Sequence, residues 1–404
     1  MELAKLDNLV GVPILGCQAL TQRAGSSVGD LVIAFTAETQ LSDEYAHLND
    51  LYRDVELNAT PEATGYLEKN RRIRAVKFKG HRSDALLMPL SSVAYTGVDP
   101  SEFQEGDVFD TLNGHEICKK YELPVKAGTA AKSKVDKAFK RVDKKIFPEH
   151  LETDNYWRSK HILDPKRVAI STQKLHGTSI RVGRVPCLRQ KGWLERVINR
   201  WFPTADHTYD AVFGSRKVIK DINNPNHSHY YESDIWTEYG KQVADLLPDG
   251  YIVYGELIGW TPEGQPIQKG YTYNLPHGKA ELYVYRIAFI NAQGTLADLP
   301  WDGVKDFCLA RGLKWTPELY RDFPMHIDGE HVDPWLGSRF FEVHEDAWFY
   351  EQPVPLSDKK TVDEGFVIRQ DGIVPTLLKA KAPEFLQYET KLLDKGEVDT
   401  ESAA

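Results

Sequence analysis

Lys174 ends the run Val168-Ala169-Ile170-Ser171-Thr172-Gln173 and stands three residues before the glycine of Lys174-Leu175-His176-Gly177-Thr178-Ser179. A β-branched run that ends in lysine predicts a strand delivering an amine to a fixed point. A free lysine has a pKa of about 10.4 and is protonated at neutral pH. To attack phosphorus it must lose that proton, which partial burial and neighbouring cations favour. Leu377-Leu378-Lys379-Ala380-Lys381 offers such cations. Alternate spacing on a strand points Lys379 and Lys381 to one face, where they would also neutralise phosphate charge. Gly177 would let the backbone pass close to a bound nucleotide.

Between these two segments come Tyr254-Gly255-Glu256-Leu257-Ile258-Gly259, Glu281-Leu282-Tyr283-Val284-Tyr285 and Asp363-Glu364-Gly365-Phe366-Val367-Ile368. A lysine three residues before a glycine is common by chance; five such elements in this order are not. Glu256 closes an apolar run and suits ribose hydroxyls or a metal, and Glu364 is placed likewise. Transfer at phosphorus needs a divalent ion to offset charge, so Glu256 and Glu364 are expected to hold Mg²⁺ through water, with Mn²⁺ as an alternative. Either carboxylate alone also reads as a strand-end cap. Tyr285 could stack on a purine, but Tyr283 shares its face and core packing explains both, so spacing leaves the choice open. Arg216, beside the turn-forming Gly214-Ser215, could grip a phosphate bidentately. The basic, aromatic stretch from Arg184 to Arg200 contains Arg189, Trp193, Arg196 and, just beyond it, Trp201. It is either a helix docked by its tryptophans or a clamp whose arginines touch nucleic-acid phosphates.

These residues must be held by a chain of 404 residues, enough for two or three domains. Hydrophobic content of 41% and aromatic content of 11% indicate a globular protein. The net charge of −9 weighs weakly against a nucleic-acid partner, since binding follows local clusters rather than the total. Cys17, Cys118, Cys187 and Cys308 are too scattered for a zinc site or a disulfide framework, which suits a reducing compartment. No apolar stretch approaches bilayer length, and the polar N-terminus is no signal peptide. The expectation is a cytoplasmic monomer with no membrane partner.

Residues 1–122 predict a small β-barrel. Its strand candidates are Asp30–Phe35, an alternating half-buried strand over Arg72–Gly80 whose apolar face is Ile73 and, after a slip, Val76 and Phe78, with Lys77 and Lys79 on the wet side, and a fully buried Ala85–Leu90; Glu105–Phe109 repeats a Gly-Asp turn. Residues 123–156 form a basic connector, with a helix expected over 134–145. Its Lys140 and Arg141 belong either to a solvated linker or to a phosphate-binding arm. Strand-like segments dominate residues 157–390, and 391–404 form an acidic tail with no room for a further C-terminal domain.

The motifs resemble the covalent nucleotidyltransferase superfamily of ligases and capping enzymes. Its lysine motif, Glu-centred motif with an aromatic companion, Glu-Gly motif and Lys-x-Lys motif match Lys174, Glu256 with Tyr285, Glu364 with Gly365, and Lys379 with Lys381. DNA ligases and capping enzymes usually carry aspartate where this chain has His176; histidine there resembles the RNA ligase 2 group, which includes phage and trypanosome RNA-editing ligases. The resemblance extends to Pro266-Ile267-Gln268-Lys269, and it implies that Tyr285 rather than Tyr283 stacks on adenine and that Arg216 grips substrate. The N-terminal segments resemble the OB-type module of Deinococcus-type RNA ligases.

The resemblance therefore implies an α+β protein: a small OB-like barrel followed by a mixed α/β, ATP-grasp-like ligase domain of antiparallel sheets. It implies an ATP-dependent RNA ligase that seals 3′-OH/5′-phosphate breaks, nicks in RNA or RNA/DNA duplexes foremost, through lysyl-AMP and RNA-adenylate. His176, Gly177, Arg216, Glu256, Tyr285, Glu364, Lys379 and Lys381 would bind the nucleotide; Lys77, Lys79, Lys140, Arg141, Arg189 and Arg196 would bind nucleic acid. A DNA ligase, a capping-type enzyme or a non-catalytic nucleic-acid-binding protein are the alternatives. Gln173 and Arg286 depart from the family pattern, which often has acidic residues at both places, and the basic insertion after the lysine motif is extra.

Overall fold

Strand-forming residues run through most of this chain, but they pair differently in its two parts. The computed structural model describes residues 7–122, 141–189, 191–202, 205–220, 234–324, 355–356 and 361–396. By its contacts the chain divides into two units, Met1–Lys126 with Lys381–Glu397, and Ala127–Ala380 with Val398–Ala404. Both mix helix with a larger share of strand, as expected for an α+β protein.

In the first unit the elements are β1 (Leu9–Ile14), β2 (Cys17–Gln22), β3 (Val32–Thr36), β4 (Thr39–Leu41), α1 (Asp43–Leu48), β5 (Val76–Phe78), β6 (His81–Ser83), β7 (Ala85–Pro89), β8 (Thr111–Leu112), β9 (His115–Glu116) and β10 (Cys118–Lys120). The side chain of Ser42 caps α1 by accepting from the Tyr45 amide. Ile33, Phe35, Leu41, Tyr45, Tyr52, Ile73, Val93 and Ile117 form the core. The strands pair two by two, β1 with β2, β3 with β7, β4 with β10, β5 with β6 and β8 with β9. Among the described residues no closed barrel forms, contrary to expectation. The strands are short, and the core is completed by α1 and the irregular segments between β4 and β5 rather than by further ladders.

Two expectations change. Only Val76–Phe78 of the 72–80 segment is strand, and it is exposed throughout, whereas Arg72, Ile73 and Ala75 are buried. The alternation slips at Ala75-Val76, so Val76 and Phe78 fall outside the buried set, while Arg72 is buried with its charge met by Asp394 from far along the chain. β7 is half-buried rather than fully buried. Residues 105–106 form the expected turn, with the Asp107 amide donating to the Gln104 carbonyl at 3.2 Å.

The second unit contains β11 (Asp154–Asn155), α2 (Tyr156–Ser159), β12 (Ala169–Lys174), β13 (Thr178–Leu188), α3 (Trp193–Ile198), β14 (His207–Gly214), α4 (Ile235–Ala244), β15 (Tyr251–Gly259), β16 (Ala280–Ile290), β17 (Leu296–Asp298), α5 (Trp301–Leu309), β18 (Lys314–Trp315), β19 (Glu318–Asp322), β20 (Gly365–Gln370) and β21 (Thr376–Lys381). They build a five-stranded sheet in the order β11-β21-β20-β12-β19 and a six-stranded sheet in the order β14-β13-β15-β16-β17, with β18 beside β16. Pairing is antiparallel except for β11 with β21 and β16 with β18.

β13 and β15 are buried on both faces; β15 is accordingly a near-continuous apolar run, whereas β13 also buries Thr178, Ser179 and Arg181. Ile180, Val182, Val253, Leu257 and Val284 meet the apolar sides of α4 and α5 on one face. Val185, Cys187, Ile252, Tyr254 and Ala288 pack with Phe147 on the other. The helix expected over 134–145 lies mostly outside the described residues; its described remainder, 141–145, is not helical.

After β21 the chain forms α6 (Pro383–Asp394), which belongs to the first unit rather than the second. Asp394 pairs with buried Arg72, Glu384 with Arg82, and the Thr390 hydroxyl accepts from the Ala75 amide at 3.1 Å. Leu386 packs on Ala37 and Ala75.

Candidate active site

Lys174 is the last residue of β12, and Thr178 is the first of β13, so Leu175-His176-Gly177 carries the chain from one sheet to the other. Each sheet then brings a remote carboxylate to this crossing. Antiparallel pairing of β12 with β20 sets Lys174 opposite Gly365. The preceding residue, Glu364, consequently meets the lysine, with Oε1 at 2.7 Å from Nζ and both side chains largely buried. Its other oxygen lies 3.7 Å from Nδ1 of His176. Pairing of β13 with β15 sets Ser179 opposite Glu256. Glu256 accepts from the Gly177 amide at 3.1 Å and from the Ser179 hydroxyl at 3.2 Å.

Further groups hold the crossing rigid. The Gln268 side chain donates to the Gly177 carbonyl at 2.7 Å, and the His176 amide donates to the Tyr273 hydroxyl at 2.7 Å. Tyr271 packs edge-on against the His176 ring, and its hydroxyl donates to the Val362 carbonyl just before the Asp363-Glu364 pair. Burial, with Glu364, Glu256 and Asp363 nearby, pushes the Tyr273 phenol well above its ordinary pKa, so it stays a neutral hydrogen-bonding group. The requirement for Gly177 is local: a Cβ there would lie 2.1 Å from the Leu257 carbonyl oxygen. The backbone therefore approaches β15 closely at this glycine.

The aromatic pair separates. A register shift between Tyr254 and Gly255 on β15 leaves Tyr285 as an extra residue on β16, a β-bulge. Tyr283 is buried with Leu175 and Ile258, and its hydroxyl donates to Glu281 at 2.8 Å. Tyr285 is half-buried and meets Nδ1 of His150 at 2.5 Å through its hydroxyl. His150 also packs edge-on against Tyr254. Burial and then Arg181, Arg216 and Arg286 hold the His150 pKa well below its usual value, so it is neutral and accepts from Tyr285. Arg181 is fully buried, with its guanidinium over the Phe147 ring and one nitrogen donating to the Phe147 carbonyl.

Several of these groups escape sequence reading. Ser179 lies two residues beyond Gly177 and could have been noticed from strand periodicity. His150 sits in the stretch assigned to the connector, and Tyr273 adopts a positive φ in a loop, so neither carries a sequence signal. Arg286 departs from the family pattern without facing the amine: it forms a buried pair with Asp298 and lies over the Tyr254 ring. Gln173 is buried and accepts from the Leu356 amide at 3.2 Å.

Lys379 is on β21, which shares a sheet with β12; β20 lies between them, so the strands are about 10 Å apart. Lys381 belongs to the first unit, where its ammonium is shared by Glu38 and Glu389. Lys77 and Lys79 are exposed on the β5–β6 hairpin. Arg141 pairs with Asp210, and Arg189 with Glu195 at 2.9 Å. Arg196 is exposed, with Nε donating to the Lys191 carbonyl. Lys140 lies outside the described residues. Trp193 and Trp201 are exposed, so they do not dock α3 onto the protein.

Residues 167–381 match the RNA ligase family, a span that contains the crossing at Lys174, both carboxylates and Lys379. The chain belongs to the RNA ligase family. Among solved structures, this family member is similar to Naegleria gruberi RNA ligase with PPi, at 13% identity and a TM-score of 0.54, covering 97% of this chain and 96% of that one. A mutant of the same Naegleria ligase with ATP and Mn is similar at 14% identity and a TM-score of 0.56, covering 96% of each chain. Another mutant, with AMP and Mn, gives 12% identity and a TM-score of 0.55, covering 96% of this chain and 95% of that one. At these identities the likeness concerns the fold. No curated protein matches the chain. No helix among the described residues is long and apolar enough to cross a membrane.

Proposed function

We propose that this ligase joins 3′-OH and 5′-phosphate RNA ends, nicks in duplexes foremost, using ATP and a covalent adenylate on Lys174. The observation that carries the reading is the 2.7 Å pair between the Lys174 amine and Glu364, at a crossing that Glu256 fastens to the neighbouring sheet. In the first step Lys174 Nζ forms a bond to the α-phosphorus of ATP, and the bond from that phosphorus to the bridging oxygen of pyrophosphate breaks. The attacking amine must be free of its proton, so the pair with Glu364 must part before the bond forms. Next, an oxygen of the RNA 5′-phosphate displaces the lysine and takes AMP. Finally the 3′-hydroxyl attacks that 5′-phosphorus, loses its proton and releases AMP.

Lys379 is the cation assigned to the α-phosphate. Lys381 would have to exchange Glu38 and Glu389 for a phosphate. Tyr285, with its ring fixed by His150, is the adenine platform, and Arg216 is the phosphate grip. His176 and Gly177 shape the floor. Lys77, Lys79, Lys140, Arg141, Arg189 and Arg196 are assigned to contacts with the nucleic-acid backbone.

Among the described residues no cluster of three His, Cys, Asp or Glu could hold a metal. Mg²⁺ or Mn²⁺ would then be bound mainly by substrate phosphates and water, with Glu256 and Glu364 reached through water. When bound, such an ion offsets charge on the phosphates. The capture of the similar Naegleria ligase with ATP and Mn supports this choice.

Incubation with α-labelled ATP and Mg²⁺ tests the reading. The wild type is expected to carry label covalently, and Lys174→Ala to carry none. An unlabelled wild type, or a labelled Lys174→Ala, would refute it.

A further inference from the structure

The segment joining β13 to β14 shows its apolar residues to solvent. Trp193 is 73% exposed, Trp201 80% and Phe202 72%, and Leu194, Val197 and Ile198 are exposed too. At helical spacing Trp193, Val197 and Trp201 form one stripe, and Leu194, Ile198 and Phe202 form the next. Arg196 and Arg200 line the edge beside Trp193. Residues 189–202 carry four cations, Arg189, Lys191, Arg196 and Arg200, against the single carboxylate Glu195, in a chain whose net charge is −9.

The cations divide their work. Arg189 pairs with Glu195 and Lys191 with Asp206, which keeps the hairpin folded on itself. Arg196 and Arg200 are exposed and form no ion pair among the described residues. At the base of the hairpin Arg189, Lys191, Arg196 and His207 line an open cavity of about 690 Å³.

Position decides between possible occupants. β13 starts one residue after Gly177, and β14 ends two residues before Arg216, so the hairpin is the far end of a ladder rooted at the candidate active site. The 11 residues of β13 span roughly 35 Å, which is about ten nucleotides of one strand. Aromatic faces beside unpaired arginines fit stacked bases and backbone phosphates. The six residues of α3 are short for a helix lying on a membrane.

We propose that the β13–β14 hairpin binds RNA that runs single-stranded beyond the duplex holding the reacting ends, with Trp193 and Trp201 stacking on bases and Arg196 and Arg200 contacting phosphates about ten nucleotides away. This rests on the RNA-sealing reading but names a site outside the adenylylation chemistry.

The test compares wild type with the Trp193→Ser/Trp201→Ser variant, using fluorescently labelled RNAs whose single-stranded flanks are shorter or longer than about ten nucleotides. Anisotropy at one fixed salt concentration measures affinity, and covalent labelling by ATP reports on the active site. The variant is expected to bind the long-flank RNA about 30-fold more weakly, from the loss of two stacked bases. Its affinity for the short-flank RNA and its labelling should match the wild type. If the adenylylation reading is wrong, neither protein takes label, yet the flank-dependent loss of affinity remains. Equal affinities of both proteins for the long-flank RNA would overturn the proposal. So would binding to phosphatidylserine vesicles, or self-association, that the variant loses while its RNA affinity stays unchanged.

Discussion

Gly177 shows how little freedom the crossing residue has. A methyl group there would sit 2.1 Å from the Leu257 carbonyl, with Ile258 and Glu256 side chains within 3.0 Å. Gly177→Ala must therefore push β13 away from β15, which displaces the Glu256 bonds and the amine two residues before His176. The expected cost is about 1–3 kcal/mol of stability, with covalent labelling by ATP slowed about 100-fold if the amine moves by an ångström. A urea melt and a labelling time course check both. At this scale the sequence was legible for Lys174, Glu256 and Glu364, because strand ends and apolar runs flank them. It was silent on His150 and Tyr273, whose places depend on loops that carry no periodic pattern.

The elements around Tyr285 depend on a buried ion pair. Arg286 and Asp298 are both inaccessible to solvent, and their bonds tie β16 to β17. Asp298→Asn leaves a buried guanidinium without its counter-charge and should destabilise the second unit by about 3–5 kcal/mol, read as a lower urea midpoint. A midpoint within error of the wild type would show that Arg286 finds another partner. The bulge beside this pair explains why period-two counting could not choose between Tyr283 and Tyr285: one inserted residue moves the two rings into separate clusters. The strand expected over 72–80 failed for a related reason. Alternation there breaks between Ala75 and Val76, and Arg72 is buried beside Asp394, a partner that no local pattern reveals.

On the scale of the whole chain, α6 returns to the first unit, and it places charge beside a buried carboxylate. Asp84 is inaccessible, and burial, opposed in part by Arg82, raises its pKa from 3.8 to about 6. With the folded value above the unfolded one, its stabilising contribution is complete below about pH 4 and is lost as pH rises through about 6. The first unit should lose of order 2–3 kcal/mol across that window. Asp84→Asn should flatten this part of the stability profile and raise the melting temperature at pH 7. A wild-type profile that is flat between pH 4 and 6 would contradict the assignment.

The sequence by itself marked Lys174, Glu256 and Glu364 and their order, because each lies beside an apolar run whose pattern is local. It also determined the family, since those motifs keep their identity whatever surrounds them. Only the tertiary structure decided which tyrosine is left half-buried, where α6 belongs, that the first unit's strands stay in pairs, and that the hairpin tryptophans face water. Each of those outcomes depends on contacts between residues far apart in the chain, and a side chain's neighbours in space are not written in its neighbours in sequence.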